Sequence, residues 1–172
     1  MTDRRGLSLQ LHAAPTAERN RPLNVAVEVR NSGSVSCLAV GVVDGSESAL
    51  RYPHYRPAIT RDGVVVADPG PPEDPLVGPL RAVDFVRLEA GAAFDPTAAR
   101  GGAAFLPLIT FANFTPTQPG EYLCTLELST ASGSVDDWLG VFGQDAERDT
   151  VVRLIAEVPR TVIDARLRIE VR

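Results

Sequence analysis

A tight turn that opens into strict alternation, at residues 118–129, constrains the fold more than any other stretch of the sequence. Pro119 and Gly120 supply the turn, and every second residue after Glu121 is then apolar: Tyr122, Cys124, Leu126 and Leu128. Successive side chains of a β-strand point to opposite faces, so the apolar residues share one face and mostly polar residues share the other. The stretch therefore predicts a strand with one face packed into a core.

Comparable alternation recurs along the chain and predicts further strands, at residues 7–11, 23–30, 36–43, 83–88, 92–94 and 162–171. Asp62 and Gly63 lie between apolar positions and form the turn signal of a β-hairpin. Residues 92–94 are expected to return beside the preceding strand after a turn at 90–91. Residues 103–111 are almost all apolar, but Pro107 has no N–H group to donate. This run is therefore expected to be an edge strand or a bulge.

Near the C-terminus the apolar spacing becomes helical, through Val151, Leu154, Ile155 and Val158. Asp145 is expected to cap the start of this helix, and Pro159 ends it. The sequence thus predicts an all-β fold, a two-sheet sandwich of about eight or nine strands. One amphipathic helix, at about residues 145–158, is inserted before the last strand. Residues 1–172 are expected to form one domain, because a chain of this length can bury a core of its own.

Several turn and strand motifs resemble those of a known class of domain. Tyr122, two residues before Cys124 and just after a turn, is similar to the tyrosine corner of immunoglobulin-like sandwiches. The valine-rich strand ending at Asn31, the Asp-Gly hairpin, the turn at 88–91 and the Pro-Gly-x-Tyr strand start resemble bacterial immunoglobulin-like domains. Such domains occur in the intracellular proteinase inhibitor family and in macroglobulin-type proteins. The resemblance spans about residues 7–129 and implies an immunoglobulin-like sandwich, with proteinase inhibition as one expectation.

Composition and charge narrow the classes of partner. The formal net charge is −5, and the 17 positive charges are all Arg and are scattered along the chain. Nucleic-acid binding needs a clustered basic face, so no nucleic-acid partner is expected. No apolar run has the length of a secretory signal or a membrane span, so no membrane association is expected. Together with only two cysteines, this predicts a cytoplasmic protein.

The sequence lacks the residue patterns that most catalytic and metal sites need. Nucleophilic hydrolysis requires a histidine beside a Ser or Cys nucleophile, but the chain has only His12 and His54 and no nucleophile elbow. Asp136 and Asp137 form an acidic pair, but a Ca²⁺ loop places more oxygen ligands at alternate positions. The chain is therefore predicted to be non-enzymatic, with no metal site and no cofactor.

Two segments of the sequence have residue types that are typical of a protein-binding site. Residues 46–57 are predicted to form a loop, which Pro53 and Pro57 stiffen. It carries aromatic and cationic residues, the types enriched at interface hot spots: Arg51, Tyr52, His54, Tyr55 and Arg56. The alternative is that its two tyrosines pack over the end of a sheet. A secondary candidate is the segment with Asp136, Asp137 and Trp138. Its tryptophan either docks the loop onto the sandwich or anchors a partner.

These observations favour a non-catalytic protein-binding or assembly module whose partner is unknown. One alternative is an intracellular protein that acts like a proteinase inhibitor, as the resemblance implies. A second alternative is a structural protein that self-associates into a homo-oligomer. For this last function the apolar run at residues 103–111 is the predicted contact, because an uncovered apolar edge strand invites pairing.

Overall fold

The structure is a computed structural model that describes residues 4–72 and 74–172. The chain is mostly β, and the described residues contain ten strands: β1 (Leu7–His12), β2 (Thr16–Ala17), β3 (Ala26–Asn31), β4 (Cys37–Val40), β5 (His54–Arg61), β6 (Val64–Ala67), β7 (Phe85–Leu88), β8 (Ala93–Phe94), β9 (Gly120–Ser129) and β10 (Val162–Val171). They also contain two α-helices: α1 (Ile109–Ala112) and α2 (Arg148–Ile155). Neither helix is long and apolar enough to cross a membrane.

Strand β9 lies at the centre of the largest sheet, whose order is β2-β10-β9-β5-β6. It pairs antiparallel with both β10 and β5, so that Cys124 faces Leu167 on one side and Ile59 on the other. A three-stranded sheet has the order β1-β3-β8, and β4 pairs with β7. Buried side chains from all three sheets belong to a single apolar cluster. The sheets therefore share one core.

The alternation that predicts β9 is confirmed by burial. All four apolar side chains on its predicted inner face are buried: Tyr122, Cys124, Leu126 and Leu128. The Tyr122 hydroxyl also donates a hydrogen bond to the carbonyl of Gln118, at 2.9 Å. This bond ties the start of the strand to the turn before it, as a tyrosine corner does.

The hairpin predicted from Asp62 and Gly63 is also confirmed, since these two residues connect β5 to β6. Their φ angles are 52° and 77°, and two positive φ angles are what a two-residue type I′ turn requires. Strand β5 begins earlier than the sequence indicates, at His54. The segment 46–57 is therefore not a loop throughout, because its last four residues belong to β5.

The apolar run at residues 103–111 is not an edge strand, so this prediction is wrong. The run is irregular up to Leu108 and continues into α1. The Glu47 carboxylate accepts hydrogen bonds from the backbone amides of Ile109 and Thr110, each at 2.8 Å. Pro107 has no N–H group to donate to a β-ladder, and Glu47 accepts hydrogen bonds from the first two amides of α1. A helical turn therefore forms in place of the predicted strand.

The short strand at residues 93–94 does not return beside the strand that precedes it. Strand β7 pairs with β4, whereas β8 pairs with β3, so the turn at 90–91 carries the chain from one sheet to another. The buried Asn31 side chain holds this crossing, because its amide donates to the carbonyls of Leu88 and Val35 at 2.9 and 2.8 Å.

The predicted amphipathic helix precedes the last strand, as expected, but it is shorter. Helix α2 covers Arg148–Ile155 and follows a 3₁₀ turn at Asp145–Glu147. Val151 and Ile155 are buried, whereas Leu154 is only half-buried. The predicted cap at Asp145 is wrong, because the residue before α2 is Glu147 and no side chain caps it. The apolar stripe nevertheless packs onto the shared core.

Candidate recognition site

The two predicted recognition segments are distant in the sequence but touch each other in the structure. The backbone amide of Tyr52 donates to the carbonyl of Asp137, at 2.9 Å. The Tyr52 ring lies 5.8 Å from the Trp138 ring, and the His54 ring stacks on Tyr52 with centroids 3.7 Å apart and planes inclined by 24°. The two segments are separate candidates in the sequence, and their contact is not predicted by any local pattern.

Two of the five candidate residues in the first segment are interior residues. Arg51 is only 2% exposed, and Tyr55 is completely buried. The Tyr55 hydroxyl donates to the Val40 carbonyl at 2.7 Å, and burial raises the pKa of this phenol. The prediction of one exposed loop is therefore wrong, because β5 sends alternate side chains to opposite faces. It directs Tyr55 into the core and leaves Arg56 exposed.

Arg51 joins three loops instead of facing a partner. Its guanidinium donates twice to the carbonyl of Trp138, at 2.7 and 3.2 Å, and once each to the carbonyls of Asp44 and Gly78, at 3.2 and 3.1 Å. Burial lowers the pKa of Arg51, and the carboxylates of Asp44 and Asp84 oppose that shift. The side chain thus fixes the backbone that carries Trp138.

Trp138 docks its loop onto the protein, and the alternative of an exposed anchor is wrong. The side chain is completely buried, and its indole N–H donates to the Ser132 carbonyl at 3.2 Å. The guanidinium of the exposed Arg160 lies 5.2 Å from the centre of the Trp138 ring, within the range of a cation–π contact. Trp138 therefore supports neighbouring side chains that do reach the surface.

We call the resulting surface the aromatic patch and define it as Tyr52, His54 and Arg160; Tyr52 and Arg160 both contact the buried Trp138. The rings of Tyr52 and His54 are half-buried, and Arg160 is exposed above the buried tryptophan. The pKa of His54 is lowered by burial first and by the charge of Arg56 second, although Glu127 and Asp137 oppose this shift. His54 is therefore neutral at pH 7 and presents an uncharged ring.

The acidic residues of the second segment lie at the margin of this patch. The Asp136 side chain is exposed, and its carboxylate is 3.9 Å from the Arg148 guanidinium. The Asp137 carboxylate accepts a hydrogen bond from the Ser132 hydroxyl, which holds it within its own loop. Of the candidate residues, Arg56, Asp136 and Asp137 are exposed and can contribute charge around the aromatic rings.

A further exposed feature lies at the other end of β5 and is missed by the sequence analysis. Val64, Val65 and Val66 of β6 are 65%, 54% and 44% exposed. The sequence shows three consecutive valines after the Asp-Gly turn. A continuous apolar run is typical of a strand buried on both faces, so the pattern does not indicate this exposure.

Comparisons with known proteins give no family for this chain. No protein-family model matches the sequence, and no curated protein matches it. Among solved structures, the chain is similar to a CARDB domain from Pyrococcus furiosus, described in complex with di-metal ions. The two share 11% identity over 98% of this chain and 89% of that chain, with a TM-score of 0.35. This likeness is too low to carry topology or metal binding over to this protein.

Proposed function

We propose that the protein is a non-catalytic protein-binding module that engages its partner through the aromatic patch. The observation that carries this proposal is the stacked pair of Tyr52 and His54 beside the buried Trp138, with Arg160 above the tryptophan. Tyr, Trp and Arg dominate the energetics of protein interfaces because they bury a large area and retain a polar group. Tyr52 and Arg160 supply two of these residue types at the surface, and both contact the third, Trp138, which is completely buried and supports them.

Rigidity of the patch supports the same proposal. The backbone of Trp138 is held by two hydrogen bonds from Arg51, and the Tyr52 amide is bonded to Asp137. The His54 backbone pairs with Ser129 in the register of β5 and β9. Side chains that are already ordered lose little entropy on binding, so more of the contact energy appears as affinity.

We further propose that the scaffold is a single domain, an immunoglobulin-like sandwich of two principal sheets. The shared core that receives side chains from the three-stranded and five-stranded sheets supports this arrangement. The hydrogen bond from Tyr122 to Gln118 supports it too, because a tyrosine in this position is a feature of such sandwiches. The patch then lies at one end of the sandwich, where recognition loops of these folds cluster.

The chemistry of the patch indicates the kind of partner surface that would fit it. Arg56 and Arg160 are exposed, and His54 is neutral at pH 7. A partner that places an apolar group against the stacked rings and a carboxylate near either guanidinium would satisfy both features. We therefore expect an apolar protein surface bordered by Asp or Glu.

The proposal is tested by capturing the partner from a native lysate and then comparing variants. The protein is immobilised, the bound partner is identified by mass spectrometry, and its Kd is measured by calorimetry. The double variant Tyr52→Ala with Arg160→Ala should bind at least about 30-fold more weakly, which corresponds to about 2 kcal/mol for a hot spot. Equal affinity of this variant and the wild type would overturn the proposal.

Arg166→Ala provides the matched control for that experiment. Arg166 is an exposed arginine of β10, and among the described residues its guanidinium pairs with Asp164 alone, on the same strand and 3.2 Å away. Its removal should leave the Kd unchanged. Urea unfolding of each variant should match the wild type, since the residues replaced in the patch are not fully buried. An unfolded double variant would mean that Tyr52 belongs to the fold.

Proteinase inhibition is one version of this function and rests on the sequence resemblance alone. An inhibitor would slow a serine, cysteine or metalloproteinase at stoichiometric concentration, and the double variant in the patch should lose that effect. Absence of inhibition across representatives of the three classes would reject this version. Partner capture would remain able to support binding of another kind.

Self-association is the second candidate function, and the exposed valines of β6 are the observation that favours it. The contact expected from the sequence, residues 103–111, is not a strand. The surface available for assembly is instead the edge of the five-stranded sheet.

A further inference from the structure

Strand β6 forms one edge of the five-stranded sheet, and two of the features that usually protect such an edge are missing from it. Within the described part of the chain it pairs with β5 alone. Its residues Val64–Ala67 include neither a charged side chain nor a proline, the two commonest devices against edge-to-edge pairing. A bulge between Ile59 and Thr60 of the pairing is the one irregularity in this hairpin.

Both faces of β6 are apolar and exposed to solvent. Val64, Val65 and Val66 follow one another, so their side chains occupy both faces of the strand, and at least 44% of each is exposed. No atom lies within 4 Å of the position where a Cβ would stand on Gly63, so the tip of the hairpin projects into solvent. The hairpin is therefore an apolar arm that the rest of the described chain does not cover.

An apolar cleft begins where β6 ends. It has a volume of about 520 Å³, and the residues that line it include Ala67, Pro69, Leu106 and Ile109. Leu106 and Ile109 are 44% and 51% exposed. The apolar surface of the strand is thus extended by the cleft, and together they are larger than scattered single apolar residues on a surface.

We propose that a second copy of this chain pairs with β6 along its free edge, antiparallel and about a two-fold axis. The two five-stranded sheets then form one continuous sheet across the dimer. An isologous contact of this kind uses the same strand from each copy and closes at two subunits. The proposal concerns a surface distinct from the aromatic patch and develops the self-association alternative.

The residues of β6 indicate that the strand that pairs with its free edge is β6 of another copy. A strand laid beside it places side chains next to the valines on both faces, so a strand of alternating apolar and polar residues would match only one face. Strand β6 is apolar at consecutive positions and therefore matches itself. It also carries no charge, so two copies can meet there although each chain has a net charge of −5.

The flanking acidic residues favour one alignment of the two strands. Asp62 precedes β6 and Asp68 follows it. Residues opposite each other in an antiparallel pair point to the same face, so a two-fold pair of β6 strands must be centred on one residue. When the pair is centred on Val66, Asp68 lies opposite Val64 of the second copy, and Asp62 lies opposite Gly70. Centring on Val65 would set Asp62 directly opposite Asp68, and like charges opposite each other destabilise a strand pair.

Sedimentation velocity and light scattering test the dimer. The wild type should have twice the chain mass of 18.4 kDa, and Val65→Lys should have the chain mass, because a charge on an edge strand opposes pairing. The matched control is Val162→Lys on β10. Val162 is 57% exposed, similar to the 54% of Val65, and this variant should remain dimeric. Val65→Lys should melt like the wild type, since its ammonium group reaches solvent.

Thiol cross-linking gives an independent measurement. Both native cysteines are buried, so Val65→Cys introduces an accessible thiol into a chain whose own thiols are covered. A short bismaleimide should join two Val65→Cys chains and should leave Val162→Cys chains unjoined. A wild type that is monomeric at every soluble concentration would overturn the proposal. So would equal cross-linking of both cysteine variants, or a wild-type dimer that Val65→Lys leaves intact.

Discussion

Replacement of Arg51 by Met tests whether this buried cation holds the aromatic patch in place. The guanidinium bonds to backbone carbonyls of three separate loops, at Asp44, Gly78 and Trp138. Met keeps most of the apolar volume of the stem, which packs near Gly45, but it has no donor. The substitution therefore removes the hydrogen bonds while creating little empty space.

The free energy of unfolding should fall by about 2–4 kcal/mol. The carbonyl of Trp138 is in buried surroundings and loses both of its bonds from Arg51, so it incurs the cost of a buried unsatisfied acceptor, about 1–3 kcal/mol. The bonds to Asp44 and Gly78 are partly buried, and water can replace them in the variant. They add about 0.5–1.5 kcal/mol each, and the relief of an unfavourably buried charge offsets part of the total.

Urea unfolding followed by tryptophan fluorescence measures this effect. Trp138 is the single tryptophan of the chain, so its emission reports directly on the place where Arg51 joins the three loops. With an m-value of about 1–3 kcal/mol/M, the midpoint should fall by about 1–2 M. Arg100→Met, at an exposed arginine, should change stability by less than about 0.5 kcal/mol. If Arg51→Met unfolds at the wild-type midpoint with unchanged emission, the role given to Arg51 is refuted.

Three other predictions follow from burial. Because the pKa of His54 is lower in the folded protein than its ordinary 6.5, the unfolded state binds more protons as pH falls below that value. The free energy of unfolding of the wild type, measured in urea at a series of pH values, should therefore decrease below that pH. The decrease should be smaller in His54→Gln. Burial raises the pKa of both thiols, that of Cys124 to about 11, so intact mass should show no alkylation of Cys37 or Cys124 in the native protein and two labels after denaturation; a denatured protein that takes no label would contradict free thiols. Ile155→Ala should cost about 2–5 kcal/mol in thermal or urea unfolding, and Leu154→Ala clearly less, because only the first side chain is completely buried; equal losses would mean that the stripe of α2 packs differently.

The strands and turns are the part of the fold that the sequence predicts well. Alternation in β9 and β10 and the Asp-Gly turn are local signals, and each depends on only a few neighbouring residues. The run at 103–111 fails because its outcome depends on Glu47, a distant residue whose carboxylate binds the amides of α1. The apolar pattern of that run does not predict this contact with Glu47.

The candidate site was predicted in part for the same reason. The sequence identifies residues of the right types near Tyr52 and near Trp138, but their contact depends on the path of two loops that Arg51 joins. The alternation of β5 separates Tyr55 from its neighbours, but only once the strand is known to begin at His54. Arg160 carries no local signal, since it lies between α2 and β10 and shares no sequence motif with the other residues of the patch.

The position of the two exposed surfaces at opposite ends of β5 has a consequence for valency. His54 begins this strand and Arg61 ends it beside the hairpin, so at about 3.3 Å per residue the patch and the arm are about 23 Å apart. A pair of chains joined at β6 would leave both patches free, on opposite sides of the junction. Such a dimer can bind two sites of one multivalent partner at the same time. Avidity then raises the apparent affinity of the dimer for that partner far above the affinity of a single patch.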